Sequence, residues 1–305
     1  MTPTPPANNY QDAVARKIHQ ERLRVLNPAK RYLDDVASLP PAPMLLTQLL
    51  TLFRQPDADI DHIVRLITHE PSLTAQILRA SNSAAYSGEQ ASTDIFEAVT
   101  RMGFFQVYCL VVALCGARAK SIEGAEKGVN VDELWRHSVA AAVAASVVAD
   151  ASNQSKEVAF TAGLLHDIGK LVLASIGRER YAAAIQRAKN EKASLTSVEQ
   201  FVFIIDHSEL GGELMHRWTL PPDVVAAVKY HHDLASAATY EQLTAAVQLG
   251  DNLAHQLLKD DQGGTDIFAP ASDALKVLRL KDEELPRLLA KAQAELENVK
   301  EILEL

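Results

Sequence analysis

The chain has 305 residues, of which 48% are hydrophobic and 23% charged, an ordinary globular composition that excludes an intrinsically disordered chain. Its net charge of −9 argues against broad nucleic-acid binding, which needs basic surface to displace counterions. Aromatic residues are only 6% and the apolar content leans on Ala, Leu and Val; Ala and Leu are strong helix formers, so composition alone points to an all-α fold.

Residues 1–9 are rich in Pro and Asn and are expected to be disordered, and 10–25 read as a polar helix. Arg16, Lys17, Arg22, Arg24, Lys30 and Arg31 cluster near the N-terminus; a solvated helix face is the simpler reading, a binding arm the other. LPPAPMLLTQLLTLF (39–53) opens the globular part, with prolines where a helix can start but not continue. Asp59 is placed to cap a helix carrying Ile60, Ile63, Val64 and Ile67 at helical spacing. Pro71 suits the first turn of the next helix, which stops near Asn82–Ser83. Asp94 with Glu97 forms a capping-box pattern before a helix that ends at Gly103, and Val107, Leu110, Val111 and Leu114 make a further stripe.

The polar stretch EGAEKGVN (123–130) predicts a boundary. It divides the chain into an extension over 1–34, a helical subdomain over 35–122, a second subdomain over 123–260, and a loop with an amphipathic helix over 261–305. Helices are expected at about 131–150, 156–176, 196–217, 222–232 and 240–258, with Thr196–Glu199 and Thr239–Gln242 as capping boxes. The terminal amphipathic helix is expected to dock on its own domain rather than on a partner. Cys109 and Cys115, in one apolar run, read as buried free thiols. The start of the sequence lacks a signal-peptide pattern and no charge-free apolar run is long enough to span a bilayer, so the expectation is a cytoplasmic protein with no membrane contact.

Ten histidines are present, and five of them fall in predicted core helices. His137 lies on the same face as Ala141, Ala144 and Ala145. GLLHDIGKLVL (163–173) is apolar all round, which predicts a buried helix, yet it carries His166, Asp167 and Lys170. Buried charge demands a partner or a metal ion. On one continuous helix His166 and Lys170 share a face, while Asp167 is rotated by about 100° and is placed to bridge to a second ion. His207 precedes Gly211 and Gly212, His231 and His232 end a helix, and Asp251 sits on an apolar face with Leu243 and Val247. Five imidazoles and two carboxylates suit two divalent ions of Fe, Mn, Zn or Ni, which the donor set does not distinguish. A hydrogen-bonded polar core is the structural alternative. His216 should face away; His19, His62 and His69 fall in polar surroundings; His255 shares a face with Asp251 and reads equally as a supporting or a surface residue.

The order His137, then His166–Asp167, then Asp251 resembles the HD superfamily of metal-dependent phosphohydrolases. LPPAP (39–43), EPSLTAQILRASNSAAY (70–86), the Ile95–Gly103 pattern, LWRHS (134–138), DHSELGGELMHRWTLP (206–221) and VKYHH (228–232) resemble its HDOD branch. The resemblance implies an HD-type helical bundle with an N-terminal helical subdomain. It also implies a bacterial regulatory protein, with a partner protein in a signalling pathway and a nucleotide or phosphate as a further ligand. Carried over from the related HD-GYP phosphodiesterases, it places one ion on His137, His166, Asp167 and Asp251. The other falls on Asp167, His207, His231 and His232. Lys170 matches a lysine that assists catalysis and Glu133 an extra carboxylate ligand. The sequence departs in having DLASAATYEQ, not Gly-Tyr-Pro, after His231–His232, which weighs against cyclic-di-GMP hydrolysis. Two readings stand: a signalling module that binds metal, and a metal-dependent phosphohydrolase acting on a nucleotide or cyclic nucleotide.

Overall fold

The structure, a computed structural model, describes residues 28–35, 44–53, 60–68, 70–83, 86, 91–117, 125–258 and 271–303. The expected disordered start, the polar helix at 10–25 with its four basic residues, the LPPAP motif, Asp59, His19 and His69 lie outside the described residues. Every regular element among the described residues is helical, as the composition predicts.

The first helices, α1 (Pro28–Asp35), α2 (Met44–Phe53), α3 (Ile60–Thr68) and α4 (Pro71–Ser81), are short. The next, α5 (Ile95–Met102), is capped by Asp94, whose side chain accepts from the Glu97 amide at 2.8 Å. Gly103 then takes φ +83° and the chain turns by 109° into α6 (Phe104–Ala117). That positive φ is the conformation for which glycine carries no side-chain penalty. A sharp reversal lets α6 leave the first layer and pack on the second, where Phe105 meets Phe160 edge to face and the Tyr108 hydroxyl bonds Thr161. Cys109 and Cys115 are buried and form no disulfide.

The central helix is α7 (Val131–Ala151), buried without interruption from His137 to Ala149. It is flanked by α8 (Lys156–Leu165) and, after the helices described next, by α14 (Glu241–Leu258). Alanines make this possible, because small side chains let helix backbones approach. A Cβ on Gly250 of α14 would come within 2.5 Å of the Ala145 amide nitrogen, so only glycine fits that crossing. Between them run α9 (Ile168–Ile176), α10 (Arg178–Glu191), α11 (Leu195–Phe203), α12 (His207–Arg217) and α13 (Pro222–Lys229). The chain closes with α15 (Ala271–Leu278) and α16 (Leu285–Leu303). Helix α16 lays Leu288, Ala292 and Leu296 against α7 and adds a Lys291–Asp150 ion pair of 2.8 Å, so the terminal helix docks on its own chain.

Four local expectations are corrected. The single helix expected over 156–176 is broken at His166–Asp167, where Asp167 takes φ −96° and ψ 6°. The helix expected over 196–217 is broken at Ile204, which takes φ +66°. Ser194, not Thr196, caps α11, and Thr239 lies in a 3-10 segment while Gln242 bonds Gln154. Finally α10 and α15 stand where no helix was expected. The stretch 156–176 is apolar and long enough to cross a membrane by composition alone, but most of it is buried inside the bundle. Helix α1 is tied to the second layer by Tyr32 donating to the Phe203 carbonyl and by Arg217 paired with Asp34 at 2.7 Å.

Candidate metal centre

The break at His166–Asp167 sets the geometry of the site. On a continuous helix the two side chains would diverge by about 100°; the kink turns both into one space between α7, α9, α12, α13 and α14. His137 comes from the second turn of α7, His207 from the first turn of α12, His231 and His232 from the end of α13, and Asp251 from mid-α14. All except His232, which is partly buried, lie in the interior.

Asp167 stands at the centre with its two oxygens turned to different partners. Oδ2 lies 3.3 Å from His166 Nε2 and 3.8 Å from His137 Nε2, whereas Oδ1 lies 3.2 Å from His207 Nε2. Asp251 Oδ1 is 2.9 Å from His137 Nε2, 3.6 Å from His166 Nε2 and 3.5 Å from His255 Nε2. On the other side His207 Nε2 meets His232 Nε2 at 3.0 Å, and the His231 and His232 rings are 4.0 Å apart. Three donor groups each lie within 4.8 Å: His137–His166–Asp167, His137–Asp251–His255 and His207–His231–His232.

The inner nitrogens are oriented from behind. His166 Nδ1 donates to the Gly163 carbonyl and His231 Nδ1 to the Val228 carbonyl, each at 2.7 Å, which leaves Nε2 as the atom facing the cavity. His166 Nε2, His231 Nε2, Asp167 Oδ1 and Asp251 Oδ1 are buried there without a hydrogen-bond partner, even where a neighbouring nitrogen is close. Their polar atoms therefore fall into neighbouring groups, His137–His166–Asp167 and His137–Asp251–His255 on one side and His207–His231–His232 on the other. Each buried polar atom left unsatisfied costs about 1–3 kcal/mol, a cost that a bound cation would offset for this set of donors. The residues therefore fit divalent metal.

The charges of these side chains balance one another. Burial disfavours charge on every member. Against it, Asp167 and Asp251 raise the His166 imidazole to about 10, and Glu199 with Asp167 raises His207 to about 10. Burial, reinforced by those imidazolium neighbours, pushes His231 down to about 3 and His232 well below its usual range. Burial also lowers His137; the His166 and Lys170 charges around Asp167, and the adjacent His137, His166 and His255 rings around Asp251, override burial to hold both carboxylates well below their usual range.

The seven donors singled out in the sequence all reach this cavity. Lys170 lies at its edge, with Nζ 2.8 Å from Asp167 Oδ2 and its side chain 13% exposed. Glu133 stands apart: it is exposed on the first turn of α7 and belongs to none of the donor groups. His216 and His62 are exposed, as expected. Two residues enter the site that the sequence did not assign to it. His255 joins His137 and Asp251, which its spacing of four from Asp251 already hinted. Glu199 is fully buried and grips His207, and its fit to a capping-box pattern concealed that role.

A family model, the HDOD domain, matches residues 39–234. A protein of Treponema pallidum (strain Nichols) is 25% identical over 217 residues, 70% of this chain; the match spans 42% of that relative's length. Among solved structures, a candidate signal transduction protein from Marinobacter aquaeolei VT8 aligns with a TM-score of 0.71 at 22% identity, covering 92% of this chain and 66% of the other. A candidate phosphohydrolase from Shewanella amazonensis SB2B aligns with a TM-score of 0.64 at 24% identity, covering 89% and 97%. At such identities these two structures speak to the fold, which they share with this chain as a helical bundle. The family match spans most of the chain, including the stretch from His137 to His232 but not Asp251: this chain belongs to the HDOD domain family.

Proposed function

We propose that this chain is a regulatory HDOD protein of bacterial signal transduction whose interior holds two divalent metal ions. The observation that carries the metal reading is the division of Asp167: one oxygen faces His137 and His166, the other faces His207 and, beyond it, His231 and His232. A carboxylate so placed suits two adjacent ions, which in paired sites lie about 3.5–4 Å apart. His137, His166, Asp167 and Asp251 would hold one ion and Asp167, His207, His231 and His232 the other. The signalling reading rests on the family and on the way α6 joins the two layers. Its Phe105 and Tyr108 touch Phe160 and Thr161 of α8, the helix that ends at His166. A change in the cavity, on binding metal and a nucleotide or phosphate, would reach a protein partner through the N-terminal helices, in a cytoplasmic setting.

The second reading, a phosphohydrolase acting on a nucleotide or cyclic nucleotide, is favoured by Lys170. Its ammonium sits at the partly open rim beside Asp167, where it could meet a phosphoryl oxygen or give a proton to a leaving group. Bound divalent ions would supply a hydroxide nucleophile and neutralise phosphoryl charge. Metal analysis of protein purified without chelator, followed by a panel of nucleotide and cyclic-dinucleotide substrates, tests both. Two ions without turnover on that panel support regulation and remove the enzyme reading for those substrates. Protein that takes up no metal overturns both metal-based readings.

A further inference from the structure

Resting on the metal reading above, we infer that Glu199, braced by Tyr181, is a positioning residue that sets the orientation and basicity of His207 as a metal ligand. Glu199 and Tyr181 are both fully buried. Both carboxylate oxygens are engaged. Glu199 Oε2 accepts from the His207 ring at Nδ1, 2.7 Å away, and from the His207 backbone amide at 2.9 Å, while Oε1 accepts from the Tyr181 hydroxyl at 2.8 Å. With Nδ1 committed, His207 presents Nε2 to Asp167 Oδ1 and His232, on the metal side.

The other inner histidines are treated differently. His166 and His231 are oriented by backbone carbonyls at 2.7 Å, which are dipoles. Among the described residues His207 is the inner histidine with a carboxylate hydrogen-bonded at Nδ1, and a negative charge on the far nitrogen makes the near nitrogen a stronger donor. A buried carboxylate is expensive to maintain without compensation, and a core that needed only packing would place an apolar residue here. The support extends outward: Tyr181 meets Phe203 at 6.0 Å, Tyr32 of α1 meets Phe203 edge to face at 6.4 Å, and Arg180 lies over its ring. The brace therefore runs from α10 through α11 to α12.

The test uses the full-length protein and its E199Q, Y181F, H207A and E199Q/H207A variants, each titrated with Zn2+ and, separately, with Co2+ for its absorption spectrum. E199Q keeps a hydrogen-bond acceptor but removes the charge. The expected result is about a 10- to 100-fold loss of affinity for the ion on the His207 side, with the other ion retained and the Co2+ spectrum altered. Y181F should shift the same ion in the same direction by less. In the H207A background E199Q should add nothing. Wild-type binding of two ions with E199Q indistinguishable in affinity and spectrum overturns the positioning role while leaving the metal reading intact. An E199Q effect that persists undiminished in H207A assigns Glu199 to general packing and also overturns it. Wild-type protein that binds no ion overturns the metal reading and this inference together.

Discussion

At the residue scale the site turns on Asp167 and Lys170, three positions apart, which are expected to separate under mutation. Asp167→Asn replaces two anionic oxygens by one neutral oxygen and an NH2 group. The cation-rich interior around His166 and His207 then loses its central countercharge, a change that typically costs several kcal/mol when a buried pair is broken. Metal content measured by mass spectrometry should fall towards zero for both ions; retention of one full ion would show that Asp167 serves a single site. Lys170→Ala should leave metal content near wild type, since an ammonium is not a ligand. A fall in phosphodiester turnover with metal retained supports the enzyme reading; unchanged turnover removes Lys170 from catalysis. The donor set was legible in the sequence because ionisable residues stood out against helices apolar on every side. Glu199 was not, because a Thr-x-x-Glu spacing reads the same whether the glutamate caps a helix or points into the core.

At the element scale two short breaks do most of the positioning, and neither contains the glycine or proline that normally betrays a helix end. The turn between α11 and α12 depends on Ile204, a β-branched residue at φ +66° that is 77% exposed. Such residues rarely adopt left-handed backbone, at a cost of about 1–3 kcal/mol. Ile204→Gly removes that strain at the price of glycine's extra freedom in the unfolded chain, about 0.5–1 kcal/mol. A net stabilisation of about 1 kcal/mol is expected in chemical denaturation; a destabilised variant would mean that the Ile204 side chain packs on something essential. The opposite case is Gly169 of α9, which touches α12 so closely that a Cβ would fall on the His207 carbonyl and within 2.9 Å of its Cα. Gly169→Ala must push backbone away from backbone. It should cost at least the 1–3 kcal/mol typical of overpacking and weaken the ion on the His207 side, whereas unchanged metal affinity would disconnect α9–α12 packing from the site. Helix α10 escaped the sequence reading because only Tyr181, Ala184 and Ala188 are buried in it. Two of these are alanines, and the stripe they form is too faint to see against a charged helix.

At the scale of the whole molecule, the helical class and the His/Asp centre were readable from periodicity and composition. The contacts between layers were not, because they depend on distant partners such as Tyr32 with Phe203 or Arg217 with Asp34. The charge balance of the centre nevertheless imposes a global property, the pH dependence of stability in chelated protein. His137, His231 and His232 have lowered values in the folded state, His231 down to about 3 against an ordinary 6.5. As pH falls below about 6.5 the unfolded chain therefore binds protons that the native protein refuses, and stability drops. The depressed carboxylates of Asp167, Asp251 and Asp206 extend that loss through the acid range. His166 and His207 behave oppositely: raised to about 10, their stabilising effect is complete below 6.5 and is lost as pH rises towards 10. Each proton of difference contributes a slope of about 1.4 kcal/mol per pH unit. The melting temperature of the chelated protein should therefore peak near pH 6.5 and decline on both sides. Metal ligation requires neutral imidazole, so binding between pH 7 and 9 should release protons from His166 and His207, and the bound protein should lose the alkaline limb of the curve. Calorimetric titration with Zn2+ in buffers of different ionisation enthalpy reads that release directly. Uptake of metal without proton release would mean that the two imidazoles are already neutral, and that carboxylate countercharge does not govern the empty site.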